Sequence, residues 1–163
     1  EAILHDAHRD EQSLCHFLFG SGRFRGNQQD FYNPSNADLL WIIMNRKGNP
    51  IGLAVLAILV AHRLDLSISG CNFPAHFLAW VSVEGLDHLV DCFGGGRLIP
   101  VEEIRSNSVV LTPEARRAIR EPCTMRAILL RILRNLHLAF VKEHRDNDAD
   151  LTSELILSLQ NHR

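Results

Sequence analysis

His76 and Asp91 are the residues whose types and spacing could do chemistry. A histidine oriented by a carboxylate is a general base, the group that a serine or cysteine nucleophile needs beside it. Strand register brings the two together. In LSISGCNFPAHFLAWVSVEGLDHLVDCF the β-branched and aromatic residues predict a hairpin with a lead-in strand, and Glu84-Gly85 reads as a two-residue turn. Val83 then faces Leu86, and counting outward puts His76, Leu78, Trp80, Leu89, Asp91 and Phe93 on one face. Phe77, Ala79, Val81, His88, Val90 and Cys92 take the other. His76 and Asp91 become diagonal neighbours, with α-carbons about 7–8 Å apart and side chains within reach. The same spacing suits a half-buried histidine bonded to a carboxylate for structural reasons, so the nucleophile decides between the two.

Four cysteines are candidates for it. Cys92 points away from His76 in this register. Cys71 precedes Phe73-Pro74, whose kink leaves its direction open, and it is the alternative nucleophile. Cys15 and Cys123 fall in helical segments and read as packing. With no C-x-x-C pair, neither a zinc ribbon nor a disulfide framework is expected, and reduced thiols in a cytoplasm fit best. His5 and His8 flank Asp6, but a solvated chain end is the expected reading; no metal and no cofactor is expected. The Gly94 to Arg97 stretch lacks the Lys-Ser/Thr of a phosphate-binding loop. A net charge of −2 over 163 residues removes the broad electrostatic case for nucleic acid or an anionic membrane. Arg126, Arg131 and Arg134 are then a solvated helix face.

The elements that must position the pair follow from hydrophobic period. From Asp6 to Phe19, Leu14, Phe17 and Leu18 recur at helical spacing until Gly20-Ser21-Gly22. RFRGNQQDFYNPSN reads as an ordered loop in which Phe24, Phe31 and Tyr32 have something to bury, and Asn36 is the expected N-cap of a helix through Met44. In GNPIGLAVLAILVAHRLDL the residues from Ile51 to Ala61 are apolar or glycine, about half of what a bilayer-spanning helix needs. That segment reads as a central helix with Pro50 in its first turn, enclosed on all sides. Gly94-Gly95-Gly96 closes the sheet, Pro100-Val101 and Thr112-Pro113 start short helices, and Met125 to Phe140 form one long apolar stripe. Leu151, Leu155 and Leu159 complete a helical hairpin. The N-terminal residues show no basic, then apolar, leader pattern, so no signal peptide is expected.

The blocks RGNQQDFYNPSNADL, GNPIGLAVLAILVAHRLDL, GCNFPAHFLAW, VDCFGGGRLIPVEEI and LLRILRNLHLAF occur in this order, from about Arg25 to about Leu159. In this the chain resembles the SirB-type transglutaminase-like family of bacterial proteins, which also has a relative within a eukaryotic F-box protein. The resemblance implies an α+β fold, mainly helical: a central buried helix on a small antiparallel sheet, spanning residues 1–110 as a papain/transglutaminase-like core. Residues 111–163 would form a helical, repeat-like tail packed on it. In catalytic members a cysteine opens the central helix and His and Asp come from neighbouring strands; His76 and Asp91 fall on those two positions. The cysteine position falls on or next to Pro50, and no Cys, Ser or Thr lies between Gly48 and Ala61. Relatives more often carry a small hydroxyl residue where this chain has Gly52, and tend to have Gly and Pro where it has Ala75 and Cys92. The expectation is a non-catalytic domain with a protein partner, whose vestigial His76/Asp91 pair borders a groove bound through Asn36, Pro50 and Arg97. The alternative is an acyl-transferring or hydrolytic enzyme using Cys71.

Overall fold

The computed structural model describes residues 10–106 and 111–161. The weak metal candidate of His5, Asp6 and His8 lies outside the described residues. Helix α1 (Glu11–Cys15) is capped by Asp10, whose carboxylate accepts the Ser13 N–H at 2.6 Å, and runs on into a single π turn, His16–Gly20. A two-residue parallel pairing joins β1 (Arg25–Gly26) to β2 (Lys47–Gly48). Between them lie a 3-10 turn, Pro34–Ala37, and α2 (Leu39–Asn45), which ends at Arg46 in the left-handed region with φ 56.

The cap of α2 is Asp38, not Asn36. Asp38 Oδ1 accepts from the N–H groups of Leu40 and Trp41, at 2.9 and 3.3 Å, while the Asn36 amide is turned inward to the loop before it. Phe31 and Tyr32 do not bury as expected. They are 42% and 56% exposed, and only Phe24 packs against the core.

Central helix α3 (Pro50–Arg63) opens with proline at its first position, where the missing N–H costs nothing. Asn49 caps it, Oδ1 accepting the Gly52 N–H at 2.8 Å. Ile51, Leu53, Ala54, Leu56, Ala57 and Ala61 are buried, but Leu59 is 45% exposed, so the helix is not enclosed on all sides. One flank packs on the sheet; the flank carrying Leu59 faces solvent.

The sheet runs in the order β3 (Ser69–Cys71), β4 (Leu78–Val83), β5 (Leu86–Asp91), β6 (Arg97–Pro100), all antiparallel. Val83 pairs with Leu86 and Trp80 with Leu89, the register that the Glu84-Gly85 turn predicts. Both turn residues have positive φ, 52 and 79, as a two-residue hairpin of this hand requires. Strand β6 corrects the expectation that the three glycines end the sheet. They form a hairpin loop, with Gly95 and Gly96 at φ 83 and 78, and Arg97 returns opposite Asp91. A short strand ending in proline is tolerated because it lies at the sheet edge.

Each face of the sheet has its own apolar cluster. Phe77, Ala79, Val81, Val90 and Cys92 pack with α1, the π turn and α3. Cys71, Leu78, Trp80 and Leu89 pack with residues of α4 (Val101–Ser106) and with Ile119, just beyond α5 (Pro113–Ala118). The C-terminal hairpin of α6 (Met125–Lys142) and α7 (Asp146–Asn161) joins the first cluster through Ile128. Its approach is fixed by a β-bridge between Gly70 and Cys123. Helix α7 packs on α6 through Ala149 and Thr152, with His137 Nδ1 donating to the Ala149 carbonyl at 3.0 Å. Leu151 and Leu155, expected to close that hairpin, instead face outward at 55% and 45% exposure. The mixed, mainly helical α+β architecture with one small antiparallel sheet is the fold class that the sequence implies.

Candidate functional site

Register places His76 at the mouth of β4 and Asp91 at the end of β5, and the two side chains meet. His76 Nε2 lies 2.8 Å from Asp91 Oδ1, which also accepts the Gly94 N–H at 2.8 Å. The hydrogen bond from His76 holds the Asp91 carboxyl below its ordinary value; burial opposes this, and the Gly94 N–H and the charge of Arg97 assist it. The pair is accessible, with side-chain exposures of 36% for His76 and 19% for Asp91. Phe93 stands edge-on to the His76 ring at 6.0 Å between centroids, and Phe31 edge-on to Phe93 at 5.7 Å. Phe93 in turn lies against Gly26, where any Cβ would meet its ring at 2.6 Å.

None of the cysteines joins this pair. Cys71, paired with Leu78, is fully buried among Leu78, Trp80 and Leu89, with its Sγ donating to the Ala118 carbonyl at 3.3 Å. Burial pushes its thiol up to about 12, helped by the neighbouring Cys123. A thiol in that state is a packing group, because only the thiolate attacks; the alternative nucleophile is therefore a poor one on physical grounds. Burial, and then Glu11, push Cys15 up to about 12 in the same way. Cys92 sits in the first cluster, wholly buried and raised well above its ordinary value by desolvation, then by Cys15 and Asp91. Cys123 is half-buried and also raised by desolvation.

Pro50 is the first residue of α3. A cavity of about 100 Å³ opens there, lined by Asn49, Pro50, Ile51 and by Ala75 and Phe77, the neighbours of His76 on either side. The third wall is α6, through Arg131, Asn135, Leu136, Leu138 and Ala139. Pro50 is among the lining residues. Arg97 is not; it is an exposed residue of the edge strand, opposite Asp91. Asn36 is fully buried, its Nδ2 donating to the Asp30 and Phe31 carbonyls at 2.7 and 3.1 Å and its Oδ1 accepting from Asn27 at 2.9 Å. Its carbonyl accepts the Asn49 N–H at 3.1 Å, so it builds the helix start and has no atom left for a ligand. A side chain at position 52 would place Cβ 2.6 Å from that same carbonyl, so glycine is what fits there.

Sequence reading missed Asn27, Asn49 and Asn135, and placed Arg131 on a solvated helix face, whereas it is half-buried and lines the cavity. The Asn49-Pro50 pair does carry a cap signal, but the α6 residues can be assigned to the cavity only once the tail is docked. Among the described residues no group of three or more His, Cys, Asp or Glu is arranged to hold a metal ion, and no helix is long and apolar enough to cross a membrane.

A central helix packed on a small antiparallel sheet, with a histidine–carboxylate pair at the ends of neighbouring strands, is the arrangement that the resemblance to papain-like and transglutaminase-like folds implies. A sequence model described as the transglutaminase-like superfamily matches residues 2–134, and the chain belongs to that superfamily. It is 37% identical over 149 residues to a UPF0162 protein of Xylella fastidiosa, covering 88% of this chain and 53% of that protein. A UPF0162 protein of Pseudomonas aeruginosa is 42% identical over 65 residues, 40% of this chain and 23% of its own length. F-box only protein 21 of Homo sapiens is 29% identical over 99 residues, 56% of this chain and 16% of its own. The chain spans about half the length of the Xylella relatives it matches. No solved structure matches it.

Proposed function

We propose that this is a non-catalytic transglutaminase-like domain of the SirB type, a protein-interaction or regulatory module of the cytoplasm. It engages a protein partner through the cavity at the start of α3 and through the helical tail of residues 111–163. The observation that carries the reading is a His76/Asp91 pair with no thiol within hydrogen-bonding distance, on a chain whose central helix opens with Pro50. A histidine base without a nucleophile to deprotonate cannot start acyl transfer. What remains is an ordered surface: an accessible imidazole, an aromatic row from Phe31 to Phe93, and a lined cavity beside them.

The test is a direct one for turnover. The purified domain is incubated with a glutamine-containing peptide and a primary amine, and separately with an activated ester, and ammonia and acyl products are followed by mass spectrometry. The expected result is no rate above that of His76→Ala under either condition. A rate that disappears in His76→Ala, and also in Cys71→Ser, would overturn the reading and make the domain a cysteine-dependent enzyme.

A further inference from the structure

The cavity at the start of α3 is apolar on most of its wall, with Pro34, Pro50, Phe77 and Leu136 among its lining, yet it includes one charged side chain, Arg131. No Asp or Glu lines it. Arg131 is half-buried, and among the described residues its one hydrogen bond is a long one, Nη1 to Asn72 Oδ1 at 3.3 Å; no carboxylate is within ion-pairing reach. Burial, and then the nearby Arg134, press its pKa below the ordinary arginine value, so the cation is held at a cost. A guanidinium presents a planar fork that fits a carboxylate bidentately. Asn135, one turn further along the same face of α6, also lines the cavity and makes no hydrogen bond among the described residues, leaving a second donor beside the first.

Size narrows the occupant. An apolar cavity of about 150 Å³ holds a benzene ring, so a volume of about 100 Å³ suits a branched aliphatic side chain. A chain terminus with an aliphatic last residue joins an apolar body and one negative head within a single residue. Resting on the interaction-module reading above, we propose that this cavity receives the C-terminus of a partner polypeptide, its last side chain aliphatic and its α-carboxylate on Arg131 and Asn135.

The probes are an N-acetylated tripeptide ending in leucine with a free carboxylate, the same peptide as its C-terminal amide, and isovalerate as a free small acid. Binding is read by calorimetry and by amide chemical shifts. The free-acid peptide is expected to bind about tenfold or more tightly than the amide, the loss that follows when a charge-assisted hydrogen bond is unmade. Arg131→Gln should erase that preference, Arg131→Lys should keep part of it, and Arg134→Gln, on the exposed side of α6, should keep it all. Melting temperature and circular dichroism of each variant separate lost binding from lost folding, and the Arg131→Lys arm remains informative if Arg131→Gln does not fold. Equal affinity for acid and amide, binding of neither peptide, or isovalerate binding as tightly as the peptide would each overturn the assignment. Cleavage of the peptide would count against the non-catalytic reading alone, since carboxylate preference is measured independently of it.

Discussion

Replacing Asn36 by Ala removes three side-chain hydrogen bonds at once, leaving the buried Asn27 amide and the part-buried Asp30 and Phe31 carbonyls without this partner. The cost should be about 1–3 kcal/mol or somewhat more, the range for leaving buried polar groups unmatched. Urea denaturation checks it: a lower midpoint at unchanged slope is expected, and a midpoint equal to the parent's would contradict the role assigned to this amide. Asp91 makes a different kind of prediction. Its folded pKa lies below the ordinary value of 3.8, so its contribution to stability is complete above the unfolded value and fades as pH falls through the folded one. Asp91→Asn should therefore lose less stability than the parent on acidification from about pH 5 to about pH 2. Identical acid profiles would mean that the His76 contact has no energetic weight. The His76/Asp91 contact was legible in the sequence because a two-residue turn fixes register and register fixes neighbours. The role of Asn36 was not, since an asparagine before an apolar run reads as a cap until the loop it faces is known.

At the scale of elements, α3 shows how far period alone reaches. Its apolar run from Ile51 to Ala61 announces burial without saying how much of the circumference is covered. Leu56 is 6% exposed and Leu59 45%. Leu56→Ala should cost about 2–5 kcal/mol through lost transfer free energy and the cavity left behind, while Leu59→Ala should stay within about 0.5 kcal/mol, as surface substitutions do. Chemical denaturation of the two variants decides it; equal costs would mean that the exposed flank is covered in solution. Strand β6 escaped prediction for a related reason. Four residues ending in proline carry too little pattern to be read as a strand, and three preceding glycines look like an ending until the edge they lead back to is in place. The leucines of α7 erred in the other direction: a regular leucine spacing marks an apolar face, but Ala149 and Thr152 make the buried contact with α6 and leave Leu151 and Leu155 outside.

For the molecule as a whole, the family resemblance carried the architecture and the residues carried the departure from it. A central helix, a small antiparallel sheet and a helical hairpin are where the ordered sequence blocks imply. The third wall of the cavity depends on how the tail docks, through the Gly70–Cys123 bridge and Ile128, and no local pattern reports that. The distribution of thiols over the molecule bears most directly on whether the domain can turn over a substrate: two are in the first cluster, one is in the second, and Cys123 is half-buried at the bridge. The measurement is the pH dependence of iodoacetamide labelling of each cysteine in the native protein, followed by mass spectrometry and repeated in His76→Ala. Every thiol should label slowly near neutral pH, with rates rising only under alkaline conditions, Cys123 first, and no rate changed by the histidine substitution. One cysteine that labels rapidly at or below neutral pH, and loses that reactivity in His76→Ala, would contradict the account.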